Sequence, residues 1–232
     1  AGVDAILMGA GIPNQVPGAL DRFAAYEPAS YYLDVEGAEP REFAMALDPA
    51  SLVPERYIER LKRPDFFAIV ATHVLAQFLC DPRRTTGRVD GFIVEGPTAG
   101  GHNAPPRGKP TFNDRGEPVY GEKDIADLGK MRELGRPFWL AGSNANPGKI
   151  KEALAEGAAG CQLGTIFALC DESGLRTDIK QELRGKAYRK QLDVVVDPVG
   201  SSSGFPFNVA QLPGTMSEVE VFDGRTRVCD LG

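Results

Sequence analysis

The sequence predicts an α/β fold of the (β/α)8 TIM-barrel type, and three observations point to it. Five short apolar runs recur along the 232 residues, at 4–8, 66–71, 91–95, 138–141 and 160–163. Each is continuous rather than alternating, as in strands covered on both faces of a parallel sheet. Helical segments separate most of them, and repeated strand–loop–helix units build parallel sheets. The strands end in glycine-bearing loops: Gly9-Ala10-Gly11, Gly100-Gly101, Ala141-Gly142-Ser143 and Gly164-Thr165. In a barrel such loops converge on one face. A doubly wound nucleotide-binding sheet instead concentrates glycine after its first strand, as Gly-x-Gly-x-x-Gly, and this chain has no such fingerprint in that context.

The elements follow in order. After the first strand, residues 14–63 form a long crossover with two weakly helical pieces, 19–26 and 54–61. The strand at 66–71 leads into a helix over 72–79, where Leu75, Ala76 and Leu79 share one face. The strand at 91–95 ends on a carboxylate, Glu95, and runs on to Gly100-Gly101-His102. Residues 103–124 have no hydrophobic period and hold four prolines and three glycines. A loop of that length directly after a strand is either a lid or disordered. A helix is expected over 125–134. The helix at 146–156 has the clearest signals: Asn146 suits the N-cap, Pro147 the first turn and Gly157 the stop. Ile150, Ala153 and Leu154 form its apolar stripe. The whole of 1–232 reads as a single domain with a lid-like loop at 103–124. The chain starts at Ala1 inside a strand without Met, so it is expected to be an internal piece of a longer protein.

Charge narrows the function. The formal net charge is −6, and no basic stripe or cluster stands out, which argues against a nucleic-acid partner. No signal peptide or bilayer-length apolar stretch is visible, so a cytoplasmic protein without a membrane partner is expected. Cys80, Cys161, Cys170 and Cys229 form no Cys-x-x-Cys pair and have no metal-type His neighbour. They read as reduced, mostly buried thiols, with no metal site.

Two features carry chemistry. Small residues at Ala141-Gly142-Ser143 and at Gly164-Thr165 stand before helix starts, where unobstructed amides bind anions. In barrels the phosphate site often lies in the loops after the last two strands. A phosphate-bearing ligand follows. The second feature is Gly100-Gly101-His102. Its glycines let the backbone approach something planar or bulky, and the imidazole can act as base, acid or donor. His73 fits a first-turn helix residue better than a site residue. Glu95 needs a partner if it is buried. Arg107 and Tyr120, in the lid-like loop, fit solvated positions better than substrate contacts. The stretch "SSSGFPFN" (201–208) reads as a structural cap whose aromatics would suit the wall of a pocket.

Four stretches, "VDAILMGAGIP", "VDGFIVEGPTAGGHNAP", "PFWLAGSNANPGKIKEALAEGAAGCQLGTIFALCDESG" and "SSSGFPFN", together resemble the nitronate monooxygenase family, also called 2-nitropropane dioxygenases. The resemblance runs through most of the chain. It implies an FMN-dependent (β/α) barrel that is partial here, because the family's barrel begins with about three further strands before those present. It implies His102 as the catalytic residue, Gly100 and Gly101 lining the flavin site, and Ala141, Gly142, Ser143, Gly164 and Thr165 forming the phosphate loops. Ser143 departs from the family, which usually has a second glycine there. "RTRVCDLG" looks like the start of an extended C-terminal region found in one branch. The implied activity is oxidation of alkyl nitronates or nitroalkanes with dioxygen, in a protein that can be a homo-oligomer. An FMN-dependent enoyl-thioester reductase is the rival enzyme, since those reductases share Ala-Gly-Gly-His. A non-catalytic barrel piece that binds a phosphate ligand is the rival of another class.

Overall fold

The computed structural model of the chain describes residues 3–9, 11–33, 35, 37–52, 61–198, 200, 201 and 204–226. Ala10, Ser202, Ser203, Cys229 and most of the helix expected over 54–61 lie outside the described residues. The elements along the chain are β1 (Ala5–Met8), α1 (Val16–Ala24), β2 (Ala29–Leu33), β3 (Phe43–Leu47), α2 (Pro49–Leu52), β4 (Asp65–Val70), α3 (His73–Cys80) and β5 (Gly91–Glu95). They continue with α4 (Leu128–Glu133), β6 (Phe138–Ala141), α5 (Pro147–Ala155), β7 (Gly160–Gln162), α6 (Thr165–Ala168), α7 (Thr177–Tyr188), β8 (Val194–Asp197), β9 (Phe207–Ala210) and α8 (Val219–Gly224). The fold is α/β. All five expected strands form, in one sheet of order β1-β4-β5-β6-β7, and the β1–β4 and β4–β5 pairs run parallel.

The chain divides into two compact units. The first comprises Ala1–Glu95, Ile125–Leu140 and Gly148–Cys161; the second comprises Gly96–Asp124, Ala141–Pro147 and Gln162–Gly232. The first unit holds the core. Phe66, Ala68 and Val70 of β4, Phe92 and Val94 of β5 and Phe138 of β6 pack with Ala76 and Leu79 of α3, Met131 of α4 and Ala153 of α5. The period-2 spacing on β4 puts all three of its core residues on one face. Its other face carries Phe67, whose ring meets Trp139 edge-on at 5.0 Å. Only β5 is buried through all but its last residue. β4 alternates buried and half-buried residues, and β1, at the sheet edge, is never fully buried. The expectation that every strand is covered on both faces therefore holds for the central strand alone.

Capping explains the helix starts. The Thr72 side chain accepts from the Leu75 N–H at 3.2 Å at the start of α3, and Asp127 accepts from the Lys130 N–H at 3.1 Å at the start of α4. Nδ1 of His73 accepts the Asp127 N–H at 3.2 Å, so this histidine ties α3 to the cap of α4. Before the first residues of β4 and β5, Arg63 organises the chain. It donates to the Asp90 carboxylate at 2.6 Å and to the Arg88 carbonyl at 2.6 Å, and it also pairs with Asp21. Asp90 in turn accepts the Phe66 N–H at 2.9 Å. Burial works against the Asp90 charge, but the Phe66 amide and Arg63 hold its carboxyl below the usual range.

The second unit contains the 103–124 loop, α6 to α8 and the antiparallel β8–β9 hairpin. The loop is ordered. Asp124 accepts from the amides of Arg107 and Gly121, both at 2.8 Å. Tyr120 Oη donates to the Ala104 carbonyl at 3.1 Å. Arg115 makes two 2.9 Å bonds to the Asp193 carboxylate, and Glu117 accepts the Val196 N–H at 3.1 Å. Among the described residues no helix is long and apolar enough to cross a membrane. Cys80, Cys161 and Cys170 are free thiols, but Cys80 is exposed and the other two are half-buried, contrary to the expectation of buried cysteines.

Asp90→Ala removes the main partner of a guanidinium whose side chain is only 15% exposed. Arg63 keeps Asp21 and the Arg88 carbonyl, so the expected loss of unfolding free energy at neutral pH is about 2 kcal/mol, the usual value for a lost hydrogen bond to a charged group, measurable by urea denaturation. Because the Asp90 pKa is depressed in the folded state, its contribution is present above the ordinary carboxylate range and fades as pH falls through the folded value. The difference between variant and wild type should therefore shrink in acid.

Candidate active site

All eight residues singled out for the site belong to the second unit. The chain enters that unit at Gly96, Ala141 and Gln162, at or next to the C-terminal ends of β5, β6 and β7. Gly96 donates its N–H to the Ala141 carbonyl at 3.2 Å, and the Ala99 N–H turns back to the Gly96 carbonyl at 3.0 Å. These bonds bring the 96–103 loop against the 141–143 loop. Gly142 permits the approach: a Cβ there would stand 2.9 Å from both the Ala99 nitrogen and Thr98 Oγ1. Its φ of +104° is also a conformation that favours glycine. Ser143 follows at φ +54°, in the left-handed region.

The third loop joins at Gly100, where a Cβ would lie 3.2 Å from Thr165 Oγ1. Three of the four glycine-bearing loops, from separate strand ends, thus meet; Gly9 and Gly11 belong to the first unit and Ala10 lies outside the described residues. No atom of the described residues comes within 4 Å of the Cβ positions of Gly101 and Gly164, so their backbones border open space. α6 starts at Thr165 as expected but is a single turn of four residues. The amides of Phe167 and Ala168 both return to the Gly164 carbonyl at 3.0 Å, leaving those of Thr165 and Ile166 without a partner inside the helix. A helix this short offers free amides rather than a macrodipole.

His102 is exposed and follows Gly101, whose φ is +86°. It forms an isolated antiparallel bridge with Phe207 at the start of β9. The bridge is made by two flanking bonds: Asn103 N–H to the Pro206 carbonyl at 2.8 Å, and Asn208 N–H to the Gly101 carbonyl at 2.9 Å. The imidazole lies tilted toward the Phe205 ring, with centroids 6.3 Å apart. The Asn208 side-chain amide also donates to the Ala99 carbonyl. Asn103 is 2% exposed. Its Nδ2 donates to the Pro97 carbonyl at 3.2 Å, while its Oδ1 is buried with no partner among the described residues. The stretch 205–208 therefore does more than cap the fold, because it flanks the histidine on both sides. Neither Asn103 nor Asn208 stands out in the sequence. Both lie inside stretches that the sequence marks, Asn103 between His102 and Ala104 and Asn208 between Phe207 and Val209, but an asparagine in a loop reads first as turn chemistry.

Glu95 is half-buried at the end of β5 in the first unit, with no side-chain partner among the described residues. Desolvation raises its carboxyl from 4.5 to about 7. Among the described residues no group of three or more His, Cys, Asp or Glu is placed to hold a metal.

Comparison with known proteins adds to this geometry. The family model described as nitronate monooxygenase matches residues 42–199, more than half of the chain. Over 133 residues the chain is 33% identical to the nitronate monooxygenase of Pseudomonas aeruginosa, covering 54% of this chain and 35% of that protein. The chain thus spans about a third of that relative's length. Among solved structures, FabK from Thermotoga maritima aligns with 96% of this chain and 51% of its own at 19% identity and a TM-score of 0.50, a likeness of fold. The nitroalkane oxidase from Streptomyces ansochromogenes is 25% identical, with a TM-score of 0.45, over 62% of this chain and 38% of that one.

Glu95 yields a pH prediction. A carboxyl whose folded pKa lies above its unfolded value favours the fold fully only below the unfolded value. That contribution is lost as pH rises toward about 7. Glu95→Gln should therefore leave the melting temperature near that of wild type at about pH 4 and raise it at about pH 8. Partial solvent access reduces the gain to ~1 kcal/mol, or about 2–4 °C. Thermal unfolding at the two pH values checks it, and equal melting temperatures at the higher pH would remove the desolvation argument.

Proposed function

The chain belongs to the nitronate monooxygenase family, and on that premise we propose that it is the FMN-binding catalytic part of a flavin oxidoreductase that oxidises alkyl nitronates with dioxygen. The observation that carries the reading is the meeting of three glycine-bearing loops beside a histidine fixed in place by β9. The residues fit the cofactor. Backbone bordering open space at Gly101 and Gly164 admits a flat ring and a phosphate, where a Cβ would intrude. The free amides of Thr165 and Ile166, with those of Gly142 and Ser143, would hold the phosphate, and Thr165 Oγ1 adds a hydroxyl beside Gly100. Gly100, Gly101 and Ala141 would line the flavin. FMN supplies the two-electron redox chemistry when bound.

The chain's own residues do the rest. A nitronate is an anion, and an imidazolium at His102 would balance its charge. Toward a neutral nitroalkane, a ring nitrogen of neutral His102 would take the proton from the carbon bearing the nitro group. The bridge to Phe207 fixes the backbone that carries the imidazole, and the Phe205 ring stands beside it with centroids 6.3 Å apart. The partners are a small organic substrate and dioxygen. A cytoplasmic homo-oligomer fits this reading.

His102→Ala should lower nitronate turnover about 10²–10⁴-fold, the usual contribution of a positioned proton-transfer group, while bound flavin absorbance is kept. Turnover equal to wild type would end the role given to His102. Gly164→Asp has room for its side chain and puts a carboxylate beside the phosphate loop. It should weaken FMN binding at least about tenfold by like-charge repulsion, with little change in melting temperature. Flavin fluorescence titration reads the affinity, and an unchanged value would move the phosphate elsewhere. Flavin reduced anaerobically by a nitronate supports the proposed substrate class. Reduction by NAD(P)H alone, with reoxidation by an enoyl thioester, would replace it with a reductase.

A further inference from the structure

The two glycines before His102 create a mechanical problem. They leave room beside the backbone, but glycine is the residue with the most conformational freedom to lose on folding. An imidazole following such a pair is poorly held unless something else fixes the chain. Asn208 meets this need from across the loop. Its backbone N–H binds the Gly101 carbonyl at 2.9 Å, and its side-chain amide binds the Ala99 carbonyl. The two bonds span Gly100. On the far side of His102, the Asn103 N–H holds the Pro206 carbonyl at 2.8 Å. Asn103 remains buried although its Oδ1 finds no donor among the described residues, an arrangement that costs stability. Such a cost is tolerated where the residue's other bonds fix a geometry that matters.

We propose that Asn208 is a positioning residue for His102: it clamps the backbone on both sides of Gly100 and so sets where the imidazole stands. The proposal rests on the reading of His102 as the catalytic residue, but its test does not depend on turnover. The chain has only two histidines, so its imidazole Hε1 spectrum contains two lines. His102→Ala assigns them. His73, held by the Asp127 amide in the first unit, serves as the internal reference.

Asn208→Asp keeps the side-chain shape, removes the donor and sets an oxygen against the Ala99 carbonyl. Asn208→Ala removes the bond without adding charge. In each folded variant the His102 line should move by more than its width, while the His73 line stays in place. The kcat for nitronate should fall on the order of tenfold or more with KM little changed, since small misplacements of a reacting group are costly. A His102 line that does not move in folded variants overturns the proposal, whatever happens to turnover. A line that moves while kcat holds supports the clamp and removes the catalytic role from His102. Wild-type protein gives a further check that needs no variant. The backbone amides of Asn103 and Asn208 should exchange with solvent at least ~100-fold more slowly than unprotected amides, and free exchange would also overturn the proposal.

Discussion

The close passage of the 96–99 backbone over Gly142 is the contact on which the candidate site depends. With any other residue there, a Cβ would lie 2.9 Å from a backbone nitrogen and from a threonine hydroxyl oxygen. One loop would have to retreat. Gly96, Thr98 and Ala99 would go with it, and Gly100 would lose its place beside Thr165. The missing side chain at position 142 thus sets a distance for two other loops. Close packing transmits such a demand, because tightly packed chain has no slack to absorb even a methyl group.

The polar groups of the chain are satisfied unevenly. Asp90 accepts from an amide and pairs with two guanidinium groups, and Arg63 is matched by two carboxylates and by carbonyls. This network precedes β4 and β5, at the strand ends that in a barrel carry stability rather than chemistry. At the other end of β5, Glu95 lacks a side-chain partner among the described residues. In the second unit, Asn103 Oδ1 is buried without a donor. Unsatisfied groups cost stability, and they concentrate where function constrains the chain.

The five sheet strands were legible because each is a short, continuous apolar run bounded by turn residues, too short for a helix, although only β5 is covered on both faces. Their observed bounds differ from the expected ones by one residue at most. The hairpins and α7 were not legible. β3 reads Phe-Ala-Met-Ala-Leu and is exposed throughout, so no polar alternation marks it as a strand. α7 buries only Lys180, whose ammonium holds the carbonyls of Cys170, Asp171 and Ser173. A helix fixed through a lysine has no apolar stripe to detect. Within the site, His102 and the glycines were visible because their chemistry and backbone freedom are local properties. Asn208 was not, since its meaning lies in a contact with Ala99, 109 residues away in sequence. The resemblance to a known family reached the residues of the motif, but no motif states which of them clamps which.

The charge distribution around the candidate site bears on the proposed binding of anions. The chain carries a formal net charge of −6, which by itself disfavours a phosphate or a nitronate. Yet residues 96–103, 141–147 and 162–169 contain no Asp, Glu, Lys or Arg at all. In the proposed site, an anion would meet exposed amides within stretches that hold neither carboxylates nor an added arginine or lysine. Backbone amides attract an anion over a short range and in fixed directions, which suits an oriented phosphate better than a mobile ammonium would. Glu95, the carboxyl that immediately precedes the first of these stretches, carries little negative charge below about pH 7 because burial disfavours its ionised form. As pH rises past that value, the residue next to the uncharged stretch acquires a negative charge.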